Sequence, residues 1–224
     1  MALTFLAIIP DGNRRYAKKH NLSYEEAYRN GIDKVFEVCN WCMEKGIKHL
    51  AVWGFSTENW NRSKIERRIL FSLFREAIDN VLDDKDLERK KIRIVFAGDI
   101  SKFPSWLKKR LNCLAEKTKK FSALKLTICL NYGGRAEILN AINKIIRQKL
   151  KKVNERVLKK MLWVKEEPDL IIRTSGEQRL SGFLPFQSVY SELYFCRKLW
   201  PEFNKKDFEK AIEDFNKRQR RFGK

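Results

Sequence analysis

Short apolar runs alternate along this chain with longer stretches in which apolar positions recur every three or four residues. The runs occupy residues 3–9, 49–55, 92–97, 126–130, 169–173 and 192–195. Their lengths suit buried strands, and the period between them suits amphipathic helices. The alternation predicts an α/β fold, a mostly parallel six-stranded sheet with helices on both faces. No repeat, low-complexity segment or Pro/Gly-rich linker interrupts the pattern, so residues 1–224 read as a single domain.

Two long helices are marked at their starts. Ser23-Tyr24-Glu25-Glu26 and Ser63-Lys64-Ile65-Glu66 both have the form of a capping box. The first helix should run to about Lys45 and stop at Gly46, with an apolar face from Tyr24 and Tyr28 through Ile32, Val35 and Cys39 to Met43. The second carries Ile65, Ile69, Leu73, Phe74, Ala77, Val81 and Leu82, a face wide for a single core contact. Core packing is its default use. Lining an apolar tunnel or a subunit interface are the alternatives.

A hydrophobic content of 43% supplies a substantial core. The 48 Lys and Arg against 28 Asp and Glu leave a net charge of +20, which points to an anionic partner: phosphorylated substrates, anionic lipid headgroups or nucleic acid. The five cysteines, at 39, 42, 113, 129 and 196, sit in apolar segments and read as buried thiols of a reducing compartment. No run approaches the ~18 apolar residues of a membrane span. The first residues lack a signal-peptide pattern. The expectation is a cytoplasmic protein that can touch a membrane without crossing it.

Three of the strand-like runs end in polar loops. The first ends in Pro10-Asp11-Gly12-Asn13-Arg14-Arg15-Tyr16-Ala17. A carboxylate beside two guanidinium groups suits a diphosphate with a divalent metal, because Arg forks hold phosphate oxygens and Mg²⁺ takes one or two carboxylates plus phosphate oxygens. A charged surface turn is the plainer reading. The second loop, Ser56-Thr57-Glu58-Asn59-Trp60-Asn61-Arg62, can bind phosphate oxygens and cover an apolar chain with its indole, or serve as a polar turn. The third, Arg173-Thr174-Ser175-Gly176-Glu177-Gln178-Arg179-Leu180-Ser181, can grip a second phosphorylated group. In an α/β sheet such loops lie at the ligand-binding edge. A fourth cluster, Asn131-Tyr132-Gly133-Gly134-Arg135, reads as a tight strand-to-helix turn.

Other chemistries are disfavoured. Cys39-Asn40-Trp41-Cys42 has a redox or zinc spacing, but it falls mid-helix and no second ligand pair follows. With two histidines, at 20 and 49, a histidine-activated nucleophile is improbable. No phosphate-loop or dinucleotide fingerprint is present, against ATP hydrolysis and nicotinamide chemistry. The basic runs 149–152 and 217–221 read as solvated faces, and a nucleic-acid-binding module is the weak alternative.

In this order, the four clusters together with Ser191-Glu192-Leu193-Tyr194-Phe195 resemble the cis-prenyltransferase family, over nearly the whole chain. The resemblance implies a homodimer, a hydrophobic tunnel between sheet and helices, and Mg²⁺-dependent extension of an allylic diphosphate (farnesyl or geranylgeranyl) by isopentenyl diphosphate into a long-chain polyprenyl diphosphate. It implies that Asp11 is catalytic and helps place Mg²⁺. Gly12, Asn13, Arg14, Arg15 and Tyr16 would surround the allylic diphosphate. Asn59, with Ser56, would take part in proton removal, and Thr57, Glu58, Trp60 and Arg62 would contact substrate. Arg173, Arg179, Leu180 and Ser181 would form the isopentenyl diphosphate site, with Glu192 a second metal-associated carboxylate.

The chain also departs from the family pattern. Tyr24 and Tyr28 stand where many members carry an arginine and a histidine near the allylic phosphates, and Gln178 stands where a histidine often follows the glutamate. Lineage variation, with Arg14 supplying the charge, is one explanation. Altered substrate handling is the other: an unusual primer, or an acceptor other than isopentenyl diphosphate. The ending Arg220-Arg221-Phe222-Gly223-Lys224 carries Arg-x-Gly one residue in from its last position and not as the terminal tail of heteromeric members, and self-association is the expectation. Product length should depend on helix 65–82 and on residues 126–130.

Overall fold

In the computed structural model, which describes residues 2–84 and 87–218, the six runs form β1 (Phe5–Ile9), β2 (His49–Ser56), β3 (Ile92–Ala97), β4 (Leu124–Tyr132), β5 (Leu170–Arg173) and β6 (Glu192–Phe195). The basic tail at 219–224 lies outside the described residues. Every pairing is parallel, in the order β3-β4-β2-β1-β5-β6. β4 is longer than its apolar run, because Asn131 and Tyr132 continue the strand before the turn.

The helices between them are α1 (Asn13–Lys19), α2 (Tyr24–Glu44), α3 (Lys64–Asp83), α4 (Leu87–Lys90), α5 (Ser105–Thr118), α6 (Gly134–Arg147), α7 (Glu155–Met161) and α8 (Lys205–Lys217). A strand covered on both sides is apolar at every position, and β1 is buried throughout. Leu6 and Ile8 face a core built with α2, α3, α5 and α8. Phe5, Ala7 and Ile9 face the opposite one, with Val164, Phe183 and Leu184. Among the described residues no helix is long and apolar enough to cross a membrane.

The first capping box forms in full: Ser23 N–H donates to Glu26 Oε2 at 2.8 Å, and Glu26 N–H to Ser23 Oγ at 3.2 Å. The second forms only in half. Glu66 N–H donates to Ser63 Oγ at 3.1 Å, but the Glu66 carboxylate turns into the protein instead of back to Ser63. Two further expectations are corrected. Ile65 is 71% exposed, because in the first turn of α3 the inward position belongs to Glu66. Cys113 is exposed on the outer side of α5, whereas the other four cysteines are buried. Desolvation pushes the Cys39 thiol up to about 12, which removes it as a nucleophile.

His49 gives the fold a pH dependence. Its ring stacks on Phe5 with centroids 3.7 Å apart, and Nε2 lies 2.8 Å from Thr127 Oγ1. Desolvation, helped by the nearby Lys125, lowers its pKa from 6.5 to about 3. The unfolded chain therefore takes up a proton first as pH falls. Stability is complete above about 6.5 and is lost toward 3, at up to ~1.4 kcal/mol per pH unit. Denaturant unfolding at successive pH values should show this slope, and His49→Gln should flatten it. An unchanged slope in the variant would assign the effect to other groups.

Candidate active site

The three polar loops meet because β1 lies between β2 and β5. Ile8 is paired with Val52 and Ile9 with Arg173, so the loops leaving these strands are neighbours. The chain turns to opposite sides of the sheet here, the place where parallel sheets hold ligands.

Asp11 is the centre of the arrangement. Its backbone N–H donates to Thr174 Oγ1 at 2.9 Å, and Thr174 Oγ1 donates back to the Asp11 carbonyl at 2.7 Å. The Trp200 N–H reaches the same carbonyl at 2.9 Å. The Asp11 carboxylate accepts from Arg173 Nη2 at 2.9 Å and faces Arg15 Nη2 at 3.5 Å. Arg173 is 5% exposed, and its Nη1 donates to Ser181 Oγ at 2.8 Å. Arg15 also donates to Ser175 Oγ and faces Glu177 Oε1 at 3.5 Å, while Glu177 pairs with Arg179. These arginines are thus held in place by Asp11 and Glu177, and an incoming anion would compete with the two carboxylates.

The backbone is shaped for close approach. Gly12 has φ 109°, and a Cβ there would sit 2.9 Å from Leu199 Cδ2 and 3.0 Å from Ser175 Cβ. Only glycine fits. Asn13 then opens α1, with Nδ2 donating to the Pro10 carbonyl at 3.3 Å and Oδ1 buried without a partner among the described residues. A Cβ at Gly31 would collide with that amide oxygen, so a glycine in α2 lets the two helices approach. Ser175 and Ser181 have φ of 75° and 51°, local strain of the kind that collects in ligand-binding loops.

The space above these residues is graded from polar to oily. An outer cavity of 270 Å³ is walled by Asp11, Asn13, Arg14, Arg15, Tyr28, Arg62, Glu177 and Arg179. Arg14 has no carboxylate partner among the described residues. The outer cavity adjoins one of 350 Å³, where Asn13, Ser56, Glu58, Asn59, Arg62, Arg173 and Ser181 face Val35, Val52, Leu70 and Phe74. Beneath lies an apolar pocket of 100 Å³ between α2, α3 and the sheet, lined by Phe36, Phe74, Ala77, Ile94, Leu126 and Leu130 among others. The wide face of α3 is thereby explained, since it serves the core and the pocket together. Thr57 and Glu58 line a neighbouring cavity of 400 Å³ with Arg135 and Ser181. Burial raises the Glu58 carboxyl, but hydrogen bonds from its own N–H and from the Thr57 and Ser56 hydroxyls outweigh this and hold it below the usual range.

Several expected contacts are turned elsewhere. Tyr16 packs on His20, with centroids 4.4 Å apart. Tyr24 is exposed at the start of α2, 6.4 Å from the Tyr28 ring. Trp60 does not cover the pocket. Its indole N–H donates to Asn131 Oδ1 at 2.8 Å, and its ring joins Phe55, Phe71 and Phe103. Leu180 packs against the core beyond the sheet. Asn59 Oδ1 accepts from Ser56 N–H at 3.0 Å, so the amide shapes its own loop as well as lining the cavity. Glu192 is level with Leu170 and Leu6, short of the carboxyl edge, and its carboxylate accepts from Arg218 at 2.8 Å. Within this chain Glu192 is not brought to Asp11, because β6 is the outermost strand and the residue starts it. Conversely, Thr174, Ser175, Glu177, Gly31 and Trp200 shape the site without having been marked as contacts. Their roles depend on neighbours distant in sequence.

Two carboxylates stand at the mouth, Glu177 paired with Arg179 and Asp11 facing Arg15 and Arg173, and among the described residues no three His, Cys, Asp or Glu side chains converge. That donor set fits a divalent cation that shares its shell between one carboxylate and diphosphate oxygens. It does not suit a closed protein cage.

Known proteins share this architecture. The sequence profile of undecaprenyl diphosphate synthase matches residues 9–223. The chain is 42% identical over 228 residues to the tritrans,polycis-undecaprenyl-diphosphate synthase (geranylgeranyl-diphosphate specific) of Pyrobaculum aerophilum, covering 99% of this chain and 96% of that protein. It is 44% identical to the isoprenyl transferase of Thermotoga maritima, covering 97% and 95%. The crystal structure of lavandulyl diphosphate synthase from Lavandula x intermedia, in complex with dimethylallyl diphosphate, superimposes with a TM-score of 0.90 at 28% identity and covers 100% and 99%. Profile, relatives and fold agree, and the chain belongs to the undecaprenyl diphosphate synthase family of cis-prenyltransferases.

Proposed function

We propose that residues 1–224 form one catalytic unit that condenses isopentenyl diphosphate with an allylic diphosphate, geranylgeranyl or farnesyl, to build a polyprenyl diphosphate. One observation carries the reading. A mouth lined by arginines and the carboxylates of Asp11 and Glu177 leads through a mixed cavity to a pocket walled by aliphatic and aromatic side chains. A molecule with a diphosphate head and a hydrocarbon tail matches both halves, and its tail gains about 0.8 kcal/mol for each CH₂ buried.

Asn13, Arg14, Arg15 and Arg62 receive the allylic diphosphate, and Arg173, Arg179 and Ser181 the isopentenyl one. As the allylic C–O bond breaks, charge builds on the departing diphosphate. Guanidinium groups already in place stabilise that charge more than the ground state. The isopentenyl alkene attacks the electron-poor carbon, a C–C bond forms, and a proton leaves the adjacent carbon. An amide is a poor base, so Asn59 and Ser56 orient the reacting groups, and the released diphosphate accepts the proton. Mg²⁺, held by Asp11 and the allylic diphosphate, would supply neutralisation of the leaving group. Holding both substrates side by side removes much of the entropic barrier.

Two further parts of the reading concern surfaces. The outer side of α6 leaves Leu139, Ile142 and Ile146 exposed, 61%, 41% and 65%, and Leu150 and Val153 extend the patch. That stripe supports a homodimer. The net charge of +20 supports peripheral contact with anionic lipid, where an oily product would be delivered, and no nucleic-acid partner is invoked. A second reading has two observations in its favour. The lavandulyl diphosphate synthase relative shares the fold, and Tyr24 and Tyr28 depart from the family pattern, so transfer to a non-isopentenyl acceptor is the competing activity.

Incubation with labelled isopentenyl diphosphate, geranylgeranyl or farnesyl diphosphate and Mg²⁺ should yield products that grow in five-carbon steps, with loss of activity on chelation. Absence of growth with every primer would defeat the reading. Branched single-condensation products by mass spectrometry would transfer support to the competing one.

A further inference from the structure

Tyr28, Glu66 and Arg62 come from separate turns of chain and close into a polar triad where the outer and the mixed cavity meet. Tyr28 Oη donates to Glu66 Oε1 at 2.5 Å and accepts from Arg62 Nη1 at 3.1 Å. Arg62 Nε lies 3.4 Å from the same Glu66 oxygen, and its guanidinium sits 5.6 Å from the centre of the Tyr28 ring. Arg67 secures the other end of the residue by donating to the Arg62 carbonyl at 2.9 Å. Arg62 Nη2 has no protein partner among the described residues.

Two features set this apart from ordinary packing. Glu66 is 7% and Tyr28 6% exposed, and Glu66 gives up its capping contact with Ser63 to reach inward. Burying a carboxylate is costly unless it is paired and hydrogen-bonded, and an apolar bridge between α2 and α3 would stabilise the fold as well or better. The triad also lines both polar cavities through Tyr28 and Arg62. Desolvation raises the Tyr28 phenol well above its ordinary range, so it remains a donor to Glu66 at any working pH.

We propose that Tyr28 and Glu66 are positioning residues for Arg62, fixing its guanidinium so that the free Nη2 edge meets the diphosphate of the allylic substrate. Tyr28 thereby serves the site by holding its donor in place, without carrying charge itself. It explains how the chain departs from the family pattern and keeps a donor site. The inference rests on the reading of the mouth as an allylic diphosphate pocket.

Calorimetric binding of geranylgeranyl diphosphate, and of inorganic pyrophosphate, separates the two ideas because neither measurement needs turnover. Failure of the parent protein to bind either probe would remove the reading of the pocket and the inference with it. With a binding parent, Tyr28→Phe and Glu66→Gln should each weaken geranylgeranyl diphosphate binding by about five- to tenfold, the net worth of one ordinary hydrogen bond. Tyr28→His, whose ring N–H can still donate to Glu66, should bind within twofold of the parent. In turnover the allylic KM should rise in step, while kcat and the isopentenyl KM stay within twofold. The double variant Tyr28→Phe/Arg62→Ala should bind no more weakly than Arg62→Ala alone. Parent-like affinity in Tyr28→Phe and Glu66→Gln, equal rises in both KM values, or multiplying effects in the double variant would overturn the proposal.

Discussion

Asp11→Ala should lower kcat by about 10²–10³-fold, the usual cost of removing one preorganised electrostatic group from a site that stabilises developing charge. The fold should survive, because the Asp11 side chain is 30% exposed and its backbone is held independently by Thr174 and Trp200. Asp11→Asn can still accept from Arg173 at its 2.9 Å distance but carries no charge, so it should lose nearly as much activity as the alanine variant. Steady-state incorporation of labelled isopentenyl diphosphate, read beside circular dichroism, checks both. A folded Asp11→Ala protein with parental turnover would remove Asp11 from the chemistry.

Arg173→Lys should cut kcat/KM for isopentenyl diphosphate by about 10²-fold while changing the allylic KM less than threefold. The guanidinium forks: Nη2 serves Asp11 and Nη1 serves Ser181 and the Arg179 carbonyl. An ammonium is a point charge and cannot satisfy both sides at once. The residue is buried, so the unmade hydrogen bonds should also cost about 1–3 kcal/mol of stability. Substrate-dependence curves for each diphosphate, with denaturant unfolding, separate the two consequences. An equal loss for both substrates would place Arg173 in a shared structural role.

The correspondence between pattern and fold has a local cause. A parallel strand buried on both faces must be apolar throughout, so residues 5–9 announce β1 without reference to anything else. The start of α2 is equally local, because Ser23 and Glu26 satisfy each other's backbone across one turn. Ser63 and Glu66 carry the same signal, yet it half fails. Tyr28, 38 residues earlier, competes for the carboxylate and wins. Trp60 shows the same limit. An indole in a polar loop reads as a cover for an oily ligand, but Asn131 and three phenylalanines from other elements draw it into the core.

The chain's own order of residues determined which segments are strands, where the long helices begin, and which strand ends carry arginine, hydroxyl and carboxylate. Those properties follow from periodicity and neighbouring side chains within a few residues. Only the tertiary structure decided that the loops after β1, β2 and β5 share one mouth, that α3 lines an oily pocket as well as the core, and that Glu192 stands apart. These depend on strand order and register, set by contacts between residues far apart in the chain, such as Ile8 beside Val52 and Ile9 beside Arg173. Spacing along the chain carries no direct record of them.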